Sequence, residues 1–307
     1  MQNQRVAIMS KNLAFVLGGG GARGALQVGA LKALLEAGYQ PDLLVGTSIG
    51  AANAAYLALY GATPQTIAAL AEVWRKVSAA DLLPISPMRL TMRTLLRRMG
   101  RDDHQQLLDF FISYGLPADL RFGDIQKIKL FMVSADITTG RQVLFGGNPH
   151  ERVLDGLLAS VALPPWLMPV RRDGSYLVDG TFVSNLPIEP ALELGADEII
   201  ALDLSDPQGA PLRETSGMVT FIENLINTTE QRQIDLELKI AAASKVTVRR
   251  LALNGESPLP IWNFRRSEEL MRQGYEIALR EIEQWQPESL PWWRKWLHVQ
   301  AAGQKKD

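Results

Sequence analysis

The sequence predicts one α/β domain built on a mostly parallel sheet with helices on both faces, and three observations lead there. Short β-prone apolar runs alternate with helical stretches of ten or more residues, the pattern of repeated strand–helix units. Two glycine-rich turns, Gly18-Gly19-Gly20-Gly21 and Gly46-Thr47-Ser48-Ile49-Gly50, each stand between a strand and a helix. The 307 residues are 47% hydrophobic and 21% charged with a net charge of -1, a balance that buries a large core and argues against disorder. No internal repeat or low-complexity linker interrupts the pattern, so residues 1–286 read as one domain and 287–307 as a Trp-rich basic tail.

Taken in order, Asn12 to Leu17 reads as a buried strand running into the glycines, and Ala22 to Ala37 as a helix that stops at Gly38. Leu43 to Val45 is a second strand, followed by a helix to about Tyr60 and another that Pro64 opens and that runs through Lys76. Met88 to Arg101 is a basic amphipathic stretch and His104 to Tyr114 a helix. Ile128 to Ser134 and Gln142 to Phe145 are strands joined through a Thr139-Gly140 turn, and Glu151 to Val161 is helical. Tyr176 to Val178 is a strand entering Asp179-Gly180, Leu186 to Leu194 a helix, and Glu198 to Leu204 a strongly β-prone strand. Met218 to Ala243 is a long helix, Lys245 to Arg250 a last strand, and Ser267 to Gln284 a last amphipathic helix.

Composition narrows the chemistry. With no cysteine, disulfides, thiol nucleophiles, Cys–zinc sites and iron–sulfur clusters are excluded together. His104, His150 and His298 lie far apart, and none belongs to a metal-binding pair. Lys and Arg number 32 against 33 Asp and Glu, so no overall field draws nucleic acid, and no nucleic-acid partner is expected. Near the start, Val6 to Met9 is too short for the apolar core of a signal peptide. Leu43 to Ala71 carries no charge, but Gly46, Gly50, Asn53, Gly61 and Pro64 break it; it reads as a buried strand and buried helix instead of a membrane span.

Gly19-Gly20-Gly21-Ala22-Arg23-Gly24 matches G-x-G-x-x-G in the setting of a dinucleotide loop. A nucleotide site also wants an acidic residue at the end of the second strand, and that strand ends in Gly46-Thr47-Ser48. The other use of consecutive glycines at a helix start is to bare N–H groups toward a developing oxyanion. Gly46-Thr47-Ser48-Ile49-Gly50 is G-x-S-x-G after a strand and before a small-residue helix, where a serine sits on a strained turn with its hydroxyl exposed. Both turns then lie at the carboxyl edge of neighbouring parallel strands, and Ile49 adds a further amide.

A Ser–Asp–His triad needs a histidine, and the three present are poorly placed: His104 and His150 in solvated-looking contexts, His298 inside the Trp-rich tail. Asp179 ends a strand against Gly180. Taken alone the dipeptide reads as a turn; at a strand end it also suits a carboxylate presented at the same sheet edge. An Asp near its reference pKa of about 3.9 is a weak base for a serine proton, and desolvation in an apolar cleft raises it.

Together these motifs resemble the patatin-like phospholipases, including bacterial members related to the catalytic domain of neuropathy target esterase. Besides the two glycine turns and Asp179-Gly180, the similarity takes in Ala135 to Gly140, Ala159 to Pro164 and Asn185-Leu186-Pro187, and covers about residues 12 to 205. The resemblance implies a three-layer α/β/α fold and a Ser48–Asp179 dyad that cleaves acyl esters of phospholipids or lysophospholipids through an acyl-enzyme, without metal or cofactor. Amides of Gly19, Gly20, Gly21 and Ile49 would then form the oxyanion hole, with Arg23 bracing the loop or meeting a phosphate. Gly18, Thr181 and Trp166 depart from residues common in the family; Thr181 is expected to narrow the cleft. Asp136 reads as a turn residue.

Met88, Met92, Leu95, Leu96 and Met99 share one helical face and Arg89, Arg93, Arg97 and Arg101 another, a pattern that suits an anionic membrane surface or a cap helix packed on the body. Three Trp beside Arg294 and Lys295 suit a bilayer interface, packing on the body, or a partner subunit in a homo-oligomer. The expectation is a serine acyl hydrolase peripheral to the cytoplasmic membrane with a lipid ester as substrate. Its rivals are a thioesterase or acyltransferase using the same serine, and a nucleotide-binding regulatory protein without hydrolysis.

Overall fold

The computed structural model describes residues 12–79, 102–164, 166–206, 217–255 and 263–285. In chain order the elements are β1 (Leu13–Leu17), α1 (Gly24–Glu36), β2 (Leu43–Thr47), α2 (Ile49–Tyr60), α3 (Pro64–Ala79), α4 (Asp102–Ser113), β3 (Lys129–Asp136) and β4 (Arg141–Phe145). They continue with α5 (Val153–Val161), β5 (Val170–Arg172), β6 (Ser175–Asp179), α6 (Ile188–Glu193), β7 (Glu198–Asp203), α7 (Met218–Ala243), β8 (Thr247–Ala252) and α8 (Ser267–Trp285). Met88 to Arg101, the tail over 287–307 and His298 lie outside the described residues.

Five strands run parallel in the order β3-β2-β1-β7-β8, as the strand–helix alternation predicts. Their side chains alternate between two cores. Phe15, Leu17, Leu44, Ile200 and Leu202 pack beneath α1, α2, α3, α5 and α8. Ala14, Val16, Leu43, Val45, Ile199 and Ala201 pack beneath α6 and α7. Both faces of the central strands are therefore covered, which is why β1 and β2 are almost wholly apolar and, Leu13 apart, buried. The result is the three-layer α/β/α arrangement. The uncharged Leu43 to Ala71 segment is β2, α2 and the start of α3, and among the described residues no helix is long and apolar enough to cross a membrane.

The antiparallel strands position the site. β4 covers Met132 to Asp136, β2 covers Lys129 to Val133, and β6 covers Ser134 to Asp136. A strand has two edges, so β4 occupies one edge of β3 while β2 and β6 share the other and meet end-on. Asp179 thus reaches the carboxyl edge of the parallel strands from an antiparallel strand, paired with Ser134 and one step beyond the Thr47–Val133 pair. β5 is absent from the expected elements. It pairs with β6 through a two-residue Asp173-Gly174 turn with φ of 48° and 85°, the type I′ hairpin that Asp-Gly favours.

α8 closes the first core by lying on α1 with the two backbones in contact: a Cβ on Gly29 would fall 1.8 Å from the Met271 carbonyl oxygen, and one on Gly274 2.0 Å from that of Leu26. Helix backbones cannot yield as a side chain can, so Gly274→Ala is expected to lower stability by about 1–3 kcal/mol or more. Gly147→Ala, where nothing lies within 4 Å, should change stability by less than about 0.5 kcal/mol. Denaturant unfolding of both variants checks this; equal stability would show that α8 does not sit this close.

Candidate active site

β2 ends at Thr47, and the chain turns at Ser48 into α2. Ser48 has φ 54° and ψ -125°, one of two non-glycine residues with positive φ among those described. Such a conformation costs about 1–3 kcal/mol and persists only where its surroundings enforce it. The Ser48 N–H donates to Ser160 Oγ at 2.9 Å, Ser160 Oγ donates to the Val133 carbonyl at 2.6 Å, and Thr47 Oγ1 donates to the Ser184 carbonyl at 2.8 Å. The flanking glycines are required by space: a Cβ on Gly46 would lie 2.6 Å from the Ala51 backbone, and one on Gly50 2.1 Å from the Leu17 carbonyl oxygen.

Ser48 Oγ donates to Asp179 Oδ2 at 2.6 Å, and the Thr181 N–H donates to Asp179 Oδ1 at 2.9 Å. Asp179 is fully buried. Burial pushes its carboxyl up to about 6, against the opposing pull of the hydrogen bonds from Ser48 and Thr181. Its N–H donates to the Ala162 carbonyl at 2.9 Å, so the aspartate is fixed at both backbone and side chain and is no free turn residue.

The glycine loop lies across from this pair. Gly18 N–H donates to the Leu202 carbonyl at 3.1 Å, and Gly19 N–H to the Asn185 carbonyl at 3.0 Å. This corrects the expectation for Gly19, whose amide is spent on holding the loop and is not offered to a substrate. Gly20, Gly21 and Ile49 line the cavity above Ser48, and their N–H groups have no acceptor among the described residues. Arg23 is buried and braces the loop through Nε to the Gly20 carbonyl at 3.3 Å, and it lines a separate small cleft. A buried relay fixes the loop from the other side: Trp74 Nε1 donates to Asn53 Oδ1 at 3.0 Å, Asn53 Nδ2 to Gln27 Oε1 at 3.0 Å, and Gln27 Nε2 to the Gly18 carbonyl at 2.8 Å.

The cavity has a volume of about 420 Å³, with walls that are mostly apolar and aromatic, among them Tyr56, Leu70, Trp74, Phe110, Phe111 and Trp166. No lysine, arginine or histidine lines it among the described residues. Its second carboxyl is Glu230 of α7, raised to about 7 by burial despite the charge of Arg23. Thr181 lines the cavity and also clamps Asp179. Asp136 is a turn residue, accepting from Thr138 N–H at 2.8 Å and Thr139 Oγ1 at 3.0 Å. His150 is exposed, whereas His104 is half-buried with Nε2 2.8 Å from the Met168 carbonyl oxygen, so it is not the solvated residue the sequence suggests. Among the described residues no cluster of His, Asp or Glu is placed to hold a metal ion. Sequence reasoning gave no role to Ser160, Asn53, Gln27 or Glu230; only the Ala159 to Pro164 similarity touched one of them.

The sequence matches the profile described as Patatin-like phospholipase over residues 15–192. It is 31% identical over 206 residues to neuropathy target esterase sws of Drosophila melanogaster, covering 67% of this chain and 14% of that protein. It is likewise 31% identical over 214 residues to lysophospholipase nte1 of Aspergillus terreus, 66% of this chain and 13% of that one. The chain therefore corresponds to about one seventh of the length of these relatives. Among solved structures, VipD from Legionella pneumophila is similar with a TM-score of 0.44 and 14% identity, over 89% of this chain and 67% of that chain. Human GIVD cytosolic phospholipase A2 is similar with a TM-score of 0.46 and 13% identity, over 89% and 58%. With more than half of its residues matched in order, from β1 through the serine elbow and Asp179 into α6, the chain belongs to the patatin-like phospholipase family.

Proposed function

We propose that the chain is a serine acyl hydrolase that cleaves acyl esters of phospholipids or lysophospholipids through a Ser48–Asp179 dyad. The observation that carries this is the 2.6 Å hydrogen bond from Ser48 Oγ to a fully buried Asp179, at the floor of an apolar cavity that no histidine lines among the described residues. As an ester carbonyl settles above Ser48, Asp179 Oδ2 takes the hydroxyl proton while Oγ attacks the carbonyl carbon. The amides of Gly20, Gly21 and Ile49 receive the charge that develops on the carbonyl oxygen. Asp179 returns the proton to the departing alcohol, leaving an acyl-enzyme on Ser48. It then takes a proton from water, which attacks the acyl carbon, and returns that proton to Ser48 Oγ as the Ser48–acyl bond breaks and the fatty acid leaves. The apolar walls hold the acyl chain. A lipid substrate makes the protein peripheral to a membrane, with the arginine-faced Met88 to Arg101 as the segment the sequence supplies for that contact.

A fluorophosphonate should label wild type and leave Ser48→Ala unlabelled, while Asp179→Asn slows labelling and ester turnover by about a thousandfold or more. Labelling retained in Ser48→Ala sinks the proposal.

The dyad also predicts a pH profile. Asp179 must be ionised to accept the proton, so kcat/KM should rise with pH through about 6 and level off above it. Its folded pKa lies above the unfolded value of 3.8, so the folded state binds the proton more tightly, and this group's contribution to stability falls as pH rises from about 4 to about 6. Asp179→Asn should therefore raise Tm at pH 7 to 8 while slowing turnover, with the gain gone near pH 4; Tm unchanged at both pH values would contradict a desolvated base.

His104→Ala and His298→Ala should each keep turnover within about threefold, whereas a triad histidine would cost several orders of magnitude. Steady-state kinetics on a short-chain ester decide between them.

A further inference from the structure

Two adjacent residues, Ser184 and Asn185, touch all three parts of the site. Thr47 Oγ1, next to the nucleophile, donates to the Ser184 carbonyl at 2.8 Å. Gly19 N–H donates to the Asn185 carbonyl at 3.0 Å, and Asn185 Nδ2 lies 3.5 Å from the Gly19 carbonyl oxygen. Thr181, whose N–H holds Asp179, donates its Oγ1 to Asn185 Oδ1 at 3.0 Å. Asn185 is fully buried, and a Cβ on Gly19 would fall 2.4 Å from its Oδ1, so loop and side chain touch with no room between them.

This dipeptide is held in turn by α7. Asn185 N–H donates to Gln233 Oε1 at 3.1 Å. Ser184 Oγ donates to the Glu237 carboxylate, which also accepts from the Glu189 N–H at 2.6 Å. Gln233 and Glu237 are four residues apart and share one helical face.

We propose that Asn185, seated by Gln233, is a positioning residue for ester hydrolysis: it fixes the oxyanion loop and the Asp179 turn at one distance from each other across Ser48. The inference rests on the hydrolase reading above. Four consecutive glycines have many backbone states, and their amides stabilise a transition state only if they are already in place when charge develops. Asn185 suits this position because its carbonyl holds the loop while its side-chain oxygen holds Thr181. Alanine removes the second link and leaves the buried Thr181 hydroxyl without its acceptor. Gln233 contributes only an acceptor, so glutamate at that position preserves the contact and leucine abolishes it.

The experiment compares Gln233→Leu, Gln233→Glu and Asn185→Ala with wild type in steady-state hydrolysis of a lysophospholipid and in hydrogen–deuterium exchange of peptides covering residues 17–24. Expected are a loss in kcat of about tenfold for Gln233→Leu and about a hundredfold for Asn185→Ala, with KM within about threefold and the acidic limb of the pH profile unmoved. Gln233→Glu should restore kcat to within about threefold of wild type. Exchange in 17–24 should quicken in Gln233→Leu and not in Gln233→Glu. Unchanged kcat in Gln233→Leu, an equal loss in Gln233→Glu, or a loss of kcat without faster exchange each overturns the proposal. Should Asn185→Ala fail to fold, the half-buried helix position 233 still decides. An inert wild type defeats the hydrolase reading and the catalytic role with it, and exchange then reports separately whether Gln233 holds the loop.

Discussion

The hydrogen bond between Ser48 Oγ and Asp179 Oδ2 sets conditions that much of the molecule exists to meet. A carboxylate at its ordinary pKa is a poor acceptor for a hydroxyl proton. Full burial raises Asp179 to about 6, which makes it a stronger base than an exposed carboxylate while leaving it largely ionised at pH 7. A higher pKa would cost the ionised fraction, and a lower one the driving force. Burial achieves this only if both carboxylate oxygens are satisfied, and Ser48 and Thr181 supply one donor each.

That contact requires two strands to end at the same point. β2 and β6 share one edge of β3 and meet tip to tip, so the turn leaving each strand carries one member of the pair. The Ser48 backbone is strained by about 1–3 kcal/mol, and the strain is offset locally. Ser160 takes the Ser48 amide, Ser184 takes the Thr47 hydroxyl, and two glycines let α2 start directly against β1. Because Ser160 holds the Ser48 N–H, the cavity-lining residues next to Ser48 whose amides lack an acceptor among the described residues are Gly20, Gly21 and Ile49.

Much of the framework is legible in the sequence because its signals are local. β1, β2 and β7 are short, mostly apolar runs, and α7 has the bounds that its helical residues predict, Met218 to Ala243. The serine elbow and the glycine loop are motifs whose meaning lies within six residues. What the sequence conceals is either short or distant. β5 has three residues, two of them arginine, and only the Asp173-Gly174 turn announces it. The antiparallel entry of β6 depends on which edge of β3 is free, which no local pattern encodes. Ser160 lies 112 residues from the serine it holds, and Gln233 lies 48 from Asn185; each is an ordinary polar residue until the fold brings it to its partner. Gly19 shows the complementary failure: the motif gives the glycine, but whether its amide faces substrate or protein depends on Asn185, 166 residues away.

α7 shows how function bears on packing. A helix laid on a sheet ordinarily turns its apolar side inward and its polar side to solvent. Here Glu230 lines the cavity and Gln233 and Glu237 face the Ser184–Asn185 segment, while Phe221, Leu225, Leu236 and Ile240 are each more than two fifths exposed. Ile234 and Ala241 supply apolar contact, but several of the inward contacts are hydrogen bonds to Ser184, Asn185 and Glu189. Glu230 and Glu237 are both raised to about 7 by burial, so their charged forms oppose folding; Ser184 and the Glu189 amide hold Glu237, and the charge of Arg23 favours Glu230. An apolar inner face would dock the helix more strongly yet leave the Asn185 amide and the Glu189 amide without acceptors. The helix therefore gives up hydrophobic docking in exchange for a fixed Ser184–Asn185 segment, whose carbonyls hold the Thr47 hydroxyl and the Gly19 amide.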